Sequence, residues 1–208
     1  MTPHLTVGLL ADLKRRQVEI ASELENEFGE LNRVLEKSGV ATHDEPQEAP
    51  LWERETTSLD LHCLRRLAAN IDLRGELPEP GCEENVDDDE PTNSYYELAA
   101  GKKSILARML TPASKIPRHF DHLIVHRDND GFYLPLDFKA PIDFHSKVSG
   151  PGWIGSSLRL QAECEAIAER LAQPDVNAAS YERELACLEL VLEACRKTRE
   201  TGSALILT

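Results

Sequence analysis

Apolar residues recur at intervals of three and four in five separate stretches of the chain, which is the spacing of amphipathic α-helices. The first stretch runs from His4 to Ser38, and the others begin near Ser58, Ser94, Leu160 and Leu185. Each such helix must bury its apolar face against the rest of the protein. The sequence therefore predicts a mainly helical protein with about five helices.

The segment from His119 to Phe138 departs from the helical spacing and has the pattern of a β-hairpin. Its two runs, HLIVH and FYLPLDF, are rich in β-prone residues and flank a turn that contains Gly131. The C-terminal run ALILT is also β-prone and can add a third strand. We therefore expect an α+β fold in which a small antiparallel sheet near residues 120–138 packs against the helices.

A polar, proline-bearing segment between the first two helices divides the chain into two parts. Residues 1–40 are predicted to form one long amphipathic helix, an arm, and residues 58–208 to form the α+β core domain. Trp52, inside the connecting segment, is expected to anchor it to the core. Residues 76–93 carry many acids and three prolines, so we expect a mobile acidic loop there.

The five cysteines include no C-x-x-C pair, and their number is odd. Without a secretory signal, this pattern argues against a disulfide framework. We therefore expect reduced thiols that pack as small apolar side chains.

Acidic residues outnumber basic ones, with 37 Asp and Glu against 23 Lys and Arg and a formal net charge of −14. A field of this sign repels phosphate backbones, so direct nucleic-acid binding is not expected. The same field attracts a basic protein. We interpret the chain as a non-enzymatic interaction module, an acidic inhibitor or immunity-type protein for a basic partner, with the N-terminal helix as a surface for homo-oligomer formation.

The chain also contains no run of the roughly 20 apolar residues that a membrane-spanning helix needs. Its N-terminus lacks the basic region of a secretory signal. A cytoplasmic location is the expectation that follows.

Candidate binding residues come from the acidic loop and from the aromatic-rich region around the predicted hairpin. They are Asp87, Asp88 and Asp89 in the loop, and Asp128, Asp130, Tyr133 and Trp153 in the aromatic region. Exposed carboxylates would raise the rate of encounter with a positively charged partner, and aromatic side chains would anchor it.

The alternative interpretation is a metal-dependent hydrolase that uses the His and Asp cluster at residues 119–145. Its metal ligands would be His122, His126, Asp128, Asp130 and His145, since imidazole and carboxylate are common metal donors. On an extended strand, however, His122 and His126 lie about 13 Å apart, at roughly 3.3 Å per residue, which is too far for one ion. The primary interpretation therefore includes no metal and no cofactor.

Overall fold

The computed structural model describes residues 3–81, 89–99, 119–126, 131–146 and 150–207. Within this part the strands are β1 (His4–Val7), β2 (Trp52–Glu55), β3 (Gly131–Leu134), β4 (Ile142–Ser146), β5 (Gly150–Ser156) and β6 (Leu205–Leu207). The helices are α1 (Leu9–Arg16), α2 (Val18–Lys37), α3 (Ser58–Arg74), α4 (Glu90–Ala99), α5 (Asp121–Ile124), α6 (Ser157–Leu171) and α7 (Glu182–Thr201), with a 3-10 turn at Ala178–Tyr181 before α7.

All of these strands belong to one sheet with the order β2-β1-β6-β3-β5-β4. β3 and β5 run parallel, whereas the other neighbouring pairs are antiparallel. The C-terminal strand β6 lies in the middle and pairs with β1 on one side and with β3 on the other. The predicted return of ALILT as a strand is therefore confirmed, and this strand joins the two halves of the sheet.

Side chains alternate between the two faces of the sheet, and each face carries its own core. On β6, Leu205 and Leu207 pack with α3, α6 and α7, whereas Ile206 packs with α1 and α2. On β3, Tyr133 belongs to the core with α3, α6 and α7, and Phe132 belongs to the core with α1 and α2. The sheet therefore lies between two helical layers.

The predicted α+β class is confirmed, although the sheet is larger than a hairpin. The helix α3 begins after Thr57, whose side chain accepts a hydrogen bond from the Asp60 amide at 3.0 Å, and it ends at a left-handed Gly75. The helix α6 begins after Ser156, the last residue of β5, whose hydroxyl accepts a hydrogen bond from the Arg159 amide at 3.2 Å. The N-cap of α3 is therefore Thr57, and Ser58, near which the helix was predicted to begin, is its first residue.

The single helix predicted from His4 to Ser38 is wrong. Its first residues form β1, which pairs with two strands that are distant in sequence, and this pairing overrides the local helical spacing. Gly8 ends the strand with a φ of 77°, and a Cβ there would meet the Pro50 carbonyl oxygen at 2.5 Å. The remaining helix is interrupted at Gln17. The division into an arm over residues 1–40 and a core over residues 58–208 concerns independent folding and stays a prediction.

The hairpin predicted around Gly131 is also wrong, because its expected first strand lies instead in the short helix α5 and the bend that follows it. Glu163 of α6 stabilises this helix by accepting the amides of His122, at 3.1 Å, and Leu123, at 2.7 Å. These amides have no partner within a helix that starts there. Arg65 of α3 donates to the Leu123 carbonyl at 3.1 Å. The partners that select a helix are therefore distant in sequence.

The predicted acidic loop over residues 76–93 ends earlier than expected, since α4 starts at Glu90 and includes Asn93. The helix predicted to begin at Ser94 therefore starts four residues earlier. Its continuation beyond Ala99 lies outside the described residues, as do residues 82–88 of the loop.

Trp52 anchors the connecting segment as predicted, because it is 9% exposed and its Nε1 donates to Glu193 Oε1 at 3.0 Å. Among the cysteines, Cys164, Cys187 and Cys195 are free and buried, as expected for packing residues. The expectation of reduced thiols throughout is wrong for Cys63, which is disulfide-bonded.

None of the described helices has both the length and the apolar composition that crossing a bilayer requires.

Two glycine-to-alanine substitutions test the packing of this sheet against its helices. A Cβ at Gly155 of β5 would lie 2.5 Å from the Tyr133 ring and 2.6 Å from the His126 ring. We expect Gly155→Ala to lower the free energy of unfolding by about 1–3 kcal/mol or more, because the core cannot accept the added methyl.

Gly29 of α2 is the matched control, because a Cβ there meets no atom within 4 Å. Gly29→Ala is expected to raise the free energy of unfolding by about 0.5–1 kcal/mol, since alanine favours the helix. Both values are measured by urea denaturation. Equal effects of the two substitutions would contradict the placement of β5.

Candidate acidic binding surface

The acidic segment, defined as residues 76–90, contains eight Asp or Glu residues among fifteen and no Lys or Arg. Of its described residues, Glu76, Glu79 and Glu90 are exposed, whereas Asp89 is half-buried. Carboxylates so close in sequence repel one another, and holding them together requires contacts from the rest of the protein. The helices α3 and α7 supply such contacts.

Arg66 of α3 binds both ends of the acidic segment. Its Nη1 donates to the carbonyl oxygens of Glu79, at 2.9 Å, and Gly81, at 2.7 Å. Its Nε lies 3.9 Å from Oδ1 of Asp89 at the other end. A guanidinium can do this because its donors form a rigid, planar fork. One side chain therefore brings the two ends of the segment together.

Asp89 has further partners that fix the C-terminal end of the segment. The Thr92 hydroxyl donates to Asp89 Oδ2, and His62 Nε2 lies 3.5 Å from the same oxygen. Burial is the main cause that lowers the pKa of His62; Asp89 opposes this shift, and Arg65 and Arg66 add to it. The His62 imidazole is therefore largely neutral at pH 7.

The N-terminal end of the segment is bound to α7 and to the turn before it. The Tyr181 hydroxyl donates to the Pro78 carbonyl at 2.7 Å, and the Gly81 amide donates to Glu184 Oε1 at 2.8 Å. Each bond joins residues 103 positions apart in sequence. Tertiary structure, rather than local sequence, thus positions the start of the acidic segment.

Beside these contacts, a groove of about 690 Å³ opens between the end of β2, the start of α3 and the start of α7. We call it the first groove. Its lining includes the carboxylates of Glu55, Asp60, Glu182 and Glu184. Arg183 is the cation in this lining, and its Nε lies 3.0 Å from Asp60 Oδ1. Four carboxylates against one guanidinium leave the groove with a charge of −3.

A second groove, of about 520 Å³, continues along α7 and shares Ala186 and Leu190 with the first. Its charged lining residues are Glu165, Glu189, Glu193 and Arg196. On α7, Glu182, Glu189 and Glu193 follow one another at about 10 Å and 6 Å along the axis, at 1.5 Å per residue. These three carboxylates form one row along the two grooves, which we call the acidic strip.

The structure places the predicted binding residues in different surroundings. Asp89 is half-buried and bound by α3, whereas Tyr133 is 3% exposed and belongs to the core. Trp153 is half-buried and packs at the edge of the larger core. Asp87, Asp88, Asp128 and Asp130 lie outside the described residues.

The described members of the predicted metal site do not come together as ligands. His126 is buried and stacks on Tyr133 with 3.9 Å between ring centroids, and His122 packs edge-on against Phe138 at 5.6 Å. His145 is exposed on β4. In the described part of the chain, no group of three or more His, Cys, Asp or Glu residues is arranged to hold a metal ion. Asp128 and Asp130 are not described.

Sequence reasoning missed the acidic strip and the role of Arg66. Glu182, Glu189 and Glu193 could have been found by projecting α7 as a helix, since they lie away from its apolar stripe. The two carbonyl oxygens that bind Arg66 carry no sequence signal, because every residue has a carbonyl group.

A family model matches residues 1–207, and the description of that family is "Putative DNA-mimic protein". The chain therefore belongs to this family. No curated protein and no solved structure matches the chain.

This membership corrects the function inferred from the sequence. The immunity-type inhibitor of a basic partner and the metal-dependent hydrolase are both wrong, because the family points to imitation of DNA. The negative charge was used to exclude nucleic acid as a ligand.

The predicted partners are corrected for the same reason. In place of an unspecified basic protein, the family points to proteins that bind DNA. Homo-oligomer formation through one long N-terminal helix is no longer expected, because that segment is divided into β1, α1 and α2.

The buried histidines give the protein a defined pH dependence of stability. Burial lowers the pKa of His122 to about 4 and that of His126 to about 3. An unfolded chain binds protons at these histidines below about pH 6.5, whereas the folded protein does not until lower pH. The free energy of unfolding contributed by these groups is therefore lost as the pH falls from about 6.5 toward 4.

We expect His122→Asn to remove part of this loss. Asparagine keeps an acceptor for the Ser156 amide, which now donates to His122 Nδ1 at 3.0 Å. Between pH 7 and pH 5, the wild type should lose about 2 kcal/mol more than the variant, measured by urea denaturation. His145→Asn, at an exposed position, is the control and should follow the wild type. Parallel curves for His122→Asn and wild type would refute the assignment.

Proposed function

We propose that this protein is a DNA mimic that occupies the DNA-binding surface of a DNA-binding protein and so keeps DNA away from it. Membership of the family over residues 1–207 supports this function. The observation that carries it is the acidic segment, whose described ends are bound by α3 and α7 beside the acidic strip.

Carboxylates can take the place of phosphates because arginine and lysine side chains bind both groups through charge-assisted hydrogen bonds. Duplex DNA carries one phosphate per about 3.4 Å along each strand. The acids of α7, at roughly 6 to 10 Å spacing along the helix axis, form a sparser row. The acidic segment, with eight acids in fifteen residues, is therefore needed to bring the charge density closer to that of DNA.

The fixed ends of the acidic segment favour mimicry over a general attraction to cations. A protein that binds DNA presents its cations in a defined pattern, and most of its hydrogen bonds to DNA go to phosphate and sugar. Arg66 and Glu184 fix the backbone of Glu79 and Gly81, and Arg66 also lies 3.9 Å from the carboxylate of Asp89. A fixed polyanion loses less conformational entropy on binding than a free one.

We propose Asp87 and Asp88 as contact residues, together with the exposed Glu76 and Glu79 of the same segment. Asp128, Asp130 and Trp153 stay further candidates for contact. Two of the residues predicted from sequence are better explained by internal contacts, since Asp89 binds α3 and Tyr133 packs in the core.

The cytoplasmic location predicted from the sequence is also a proposal, and it rests on the proposed DNA mimicry. A DNA mimic can act only in the compartment that contains its DNA-binding partner. We therefore propose that the protein acts in the cytoplasm, where its partner binds DNA.

Elution from a DNA column tests the proposed function. Lysate of the native host is loaded on immobilised duplex DNA and eluted at constant salt with the purified protein, and eluted proteins are identified by mass spectrometry. A protein eluted in this way is then purified and bound to a fluorescent duplex. We expect displacement of the duplex at a one-to-one ratio and at a lower rate in higher salt, because charge steering is screened.

Two variants of equal charge distinguish mimicry from bulk charge. The test variant neutralises Glu76, Glu79, Asp87 and Asp88 as Gln or Asn. The control variant neutralises four exposed acids elsewhere, Glu19, Glu36, Glu48 and Glu169. Each retains a charge of −14 + 4 = −10.

We expect the test variant to displace the duplex at least tenfold less well than the control, since lost charge pairs are worth about 1.4 kcal/mol or more. No elution by the wild type, or equal displacement by the two variants, would count against the proposal.

A further inference from the structure

Glu184 combines deep burial with an unused hydrogen-bond acceptor. The residue is 2% exposed, and its Oε1 accepts the Gly81 amide. Its Oε2 is buried and has no hydrogen-bond partner in the described part of the chain. Buried carboxylate oxygens without a donor are disfavoured, so this oxygen favours a ligand that brings a donor.

The first groove is where such a donor can approach, since Glu184 is part of its lining. Two more carboxylates of the lining, Glu55 and Glu182, are exposed and form no ion pair with another described residue. Asp60 already pairs with Arg183. Three carboxylates of the groove are thus available to an added cation.

The shape and the walls of the groove favour arginine over lysine. Its volume of about 690 Å³ exceeds what one side chain needs, so a residue and its neighbours can enter. Ala186, Cys187 and Leu190 form an apolar wall along which the methylene groups of a long side chain can pack. A guanidinium offers five donors in a planar fork, which suits several carboxylates at once, whereas an ammonium is a single point charge.

We infer that the first groove is a binding site for an arginine side chain of the partner, with Glu184 as its buried anchor. This inference deepens the proposed function and rests on it for the identity of the partner. An arginine that would contact a DNA phosphate instead enters the groove, where the carboxylates of Glu184, Glu55 and Glu182 take the place of phosphate oxygens.

The site is tested with a peptide probe that needs no knowledge of the partner. Acetyl-Ala-Arg-Ala-amide and its lysine counterpart are titrated into the ¹⁵N-labelled full chain, and backbone amide shifts are followed by NMR. We expect the arginine peptide to shift the amides of Gly81, Glu184 and Cys187 and to bind at least fivefold more tightly than the lysine peptide. Equal affinities, or shifts that avoid the first groove, would overturn the inference.

Three single variants identify the anchor. Glu184→Gln keeps an acceptor for the Gly81 amide but removes the charge, and we expect its affinity for the arginine peptide to fall about tenfold or more. Glu55→Gln, at an exposed position that does not endanger folding, should lower the affinity several-fold. Glu169→Gln, an exposed acid of α6 outside the groove, changes the net charge equally and should leave the affinity unchanged. The same loss in all three variants would overturn the inference.

The experiments distinguish a failure of the groove inference from a failure of the proposed function. If the wild type displaces DNA from its partner but does not prefer the arginine peptide, the groove inference fails and DNA mimicry stands. If the arginine peptide binds in the groove but no DNA-binding protein is displaced from DNA, the proposed function fails and the groove stands as an arginine site.

Discussion

The hydrogen bonds of Arg66 are the interaction on which the acidic surface depends. One guanidinium binds Glu79 and Gly81 near the start of the acidic segment and lies beside Asp89 near its end. Without a donor, the two carbonyl groups would lose a charge-assisted hydrogen bond each, and the segment's repulsion would drive its ends apart. The position of α3 therefore decides where the described ends of the acidic segment lie.

The rest of the fold provides a rigid base for this surface. The helix α7 packs against α3 and the sheet, and it carries both Glu184 and the acids of the strip. Trp52 of β2 binds Glu193 on the same helix, so the edge of the sheet and the strip are connected. The acids of the strip are thereby attached to a fold with two hydrophobic cores. A well-packed fold suits the imitation of a stiff polymer such as DNA.

Part of this arrangement was predictable from sequence because local signals encode it. Thr57 and Gly75 delimit α3, Ser156 caps α6, and the C-terminal ALILT forms β6. The failures involve contacts between distant residues. His4–Val7 becomes a strand through β2 and β6, and α5 becomes a helix because Glu163 binds its amides from forty residues away. At the site, the acidic composition was visible, but Arg66 and the buried oxygen of Glu184 act through groups with no sequence pattern.

The central claim is that DNA mimicry depends on where the carboxylates are held and not only on how many there are. Displacement of duplex DNA by Arg66→Met tests it most directly, since methionine keeps an unbranched apolar side chain on α3 but removes the guanidinium donors. The variant has a charge of −14 − 1 = −15, so it is more negative than the wild type. We predict that Arg66→Met, with its folding verified by circular dichroism, displaces the duplex at least tenfold less well than the wild type, a loss of about 1.4 kcal/mol or more. Displacement equal to or better than that of the wild type would contradict the claim.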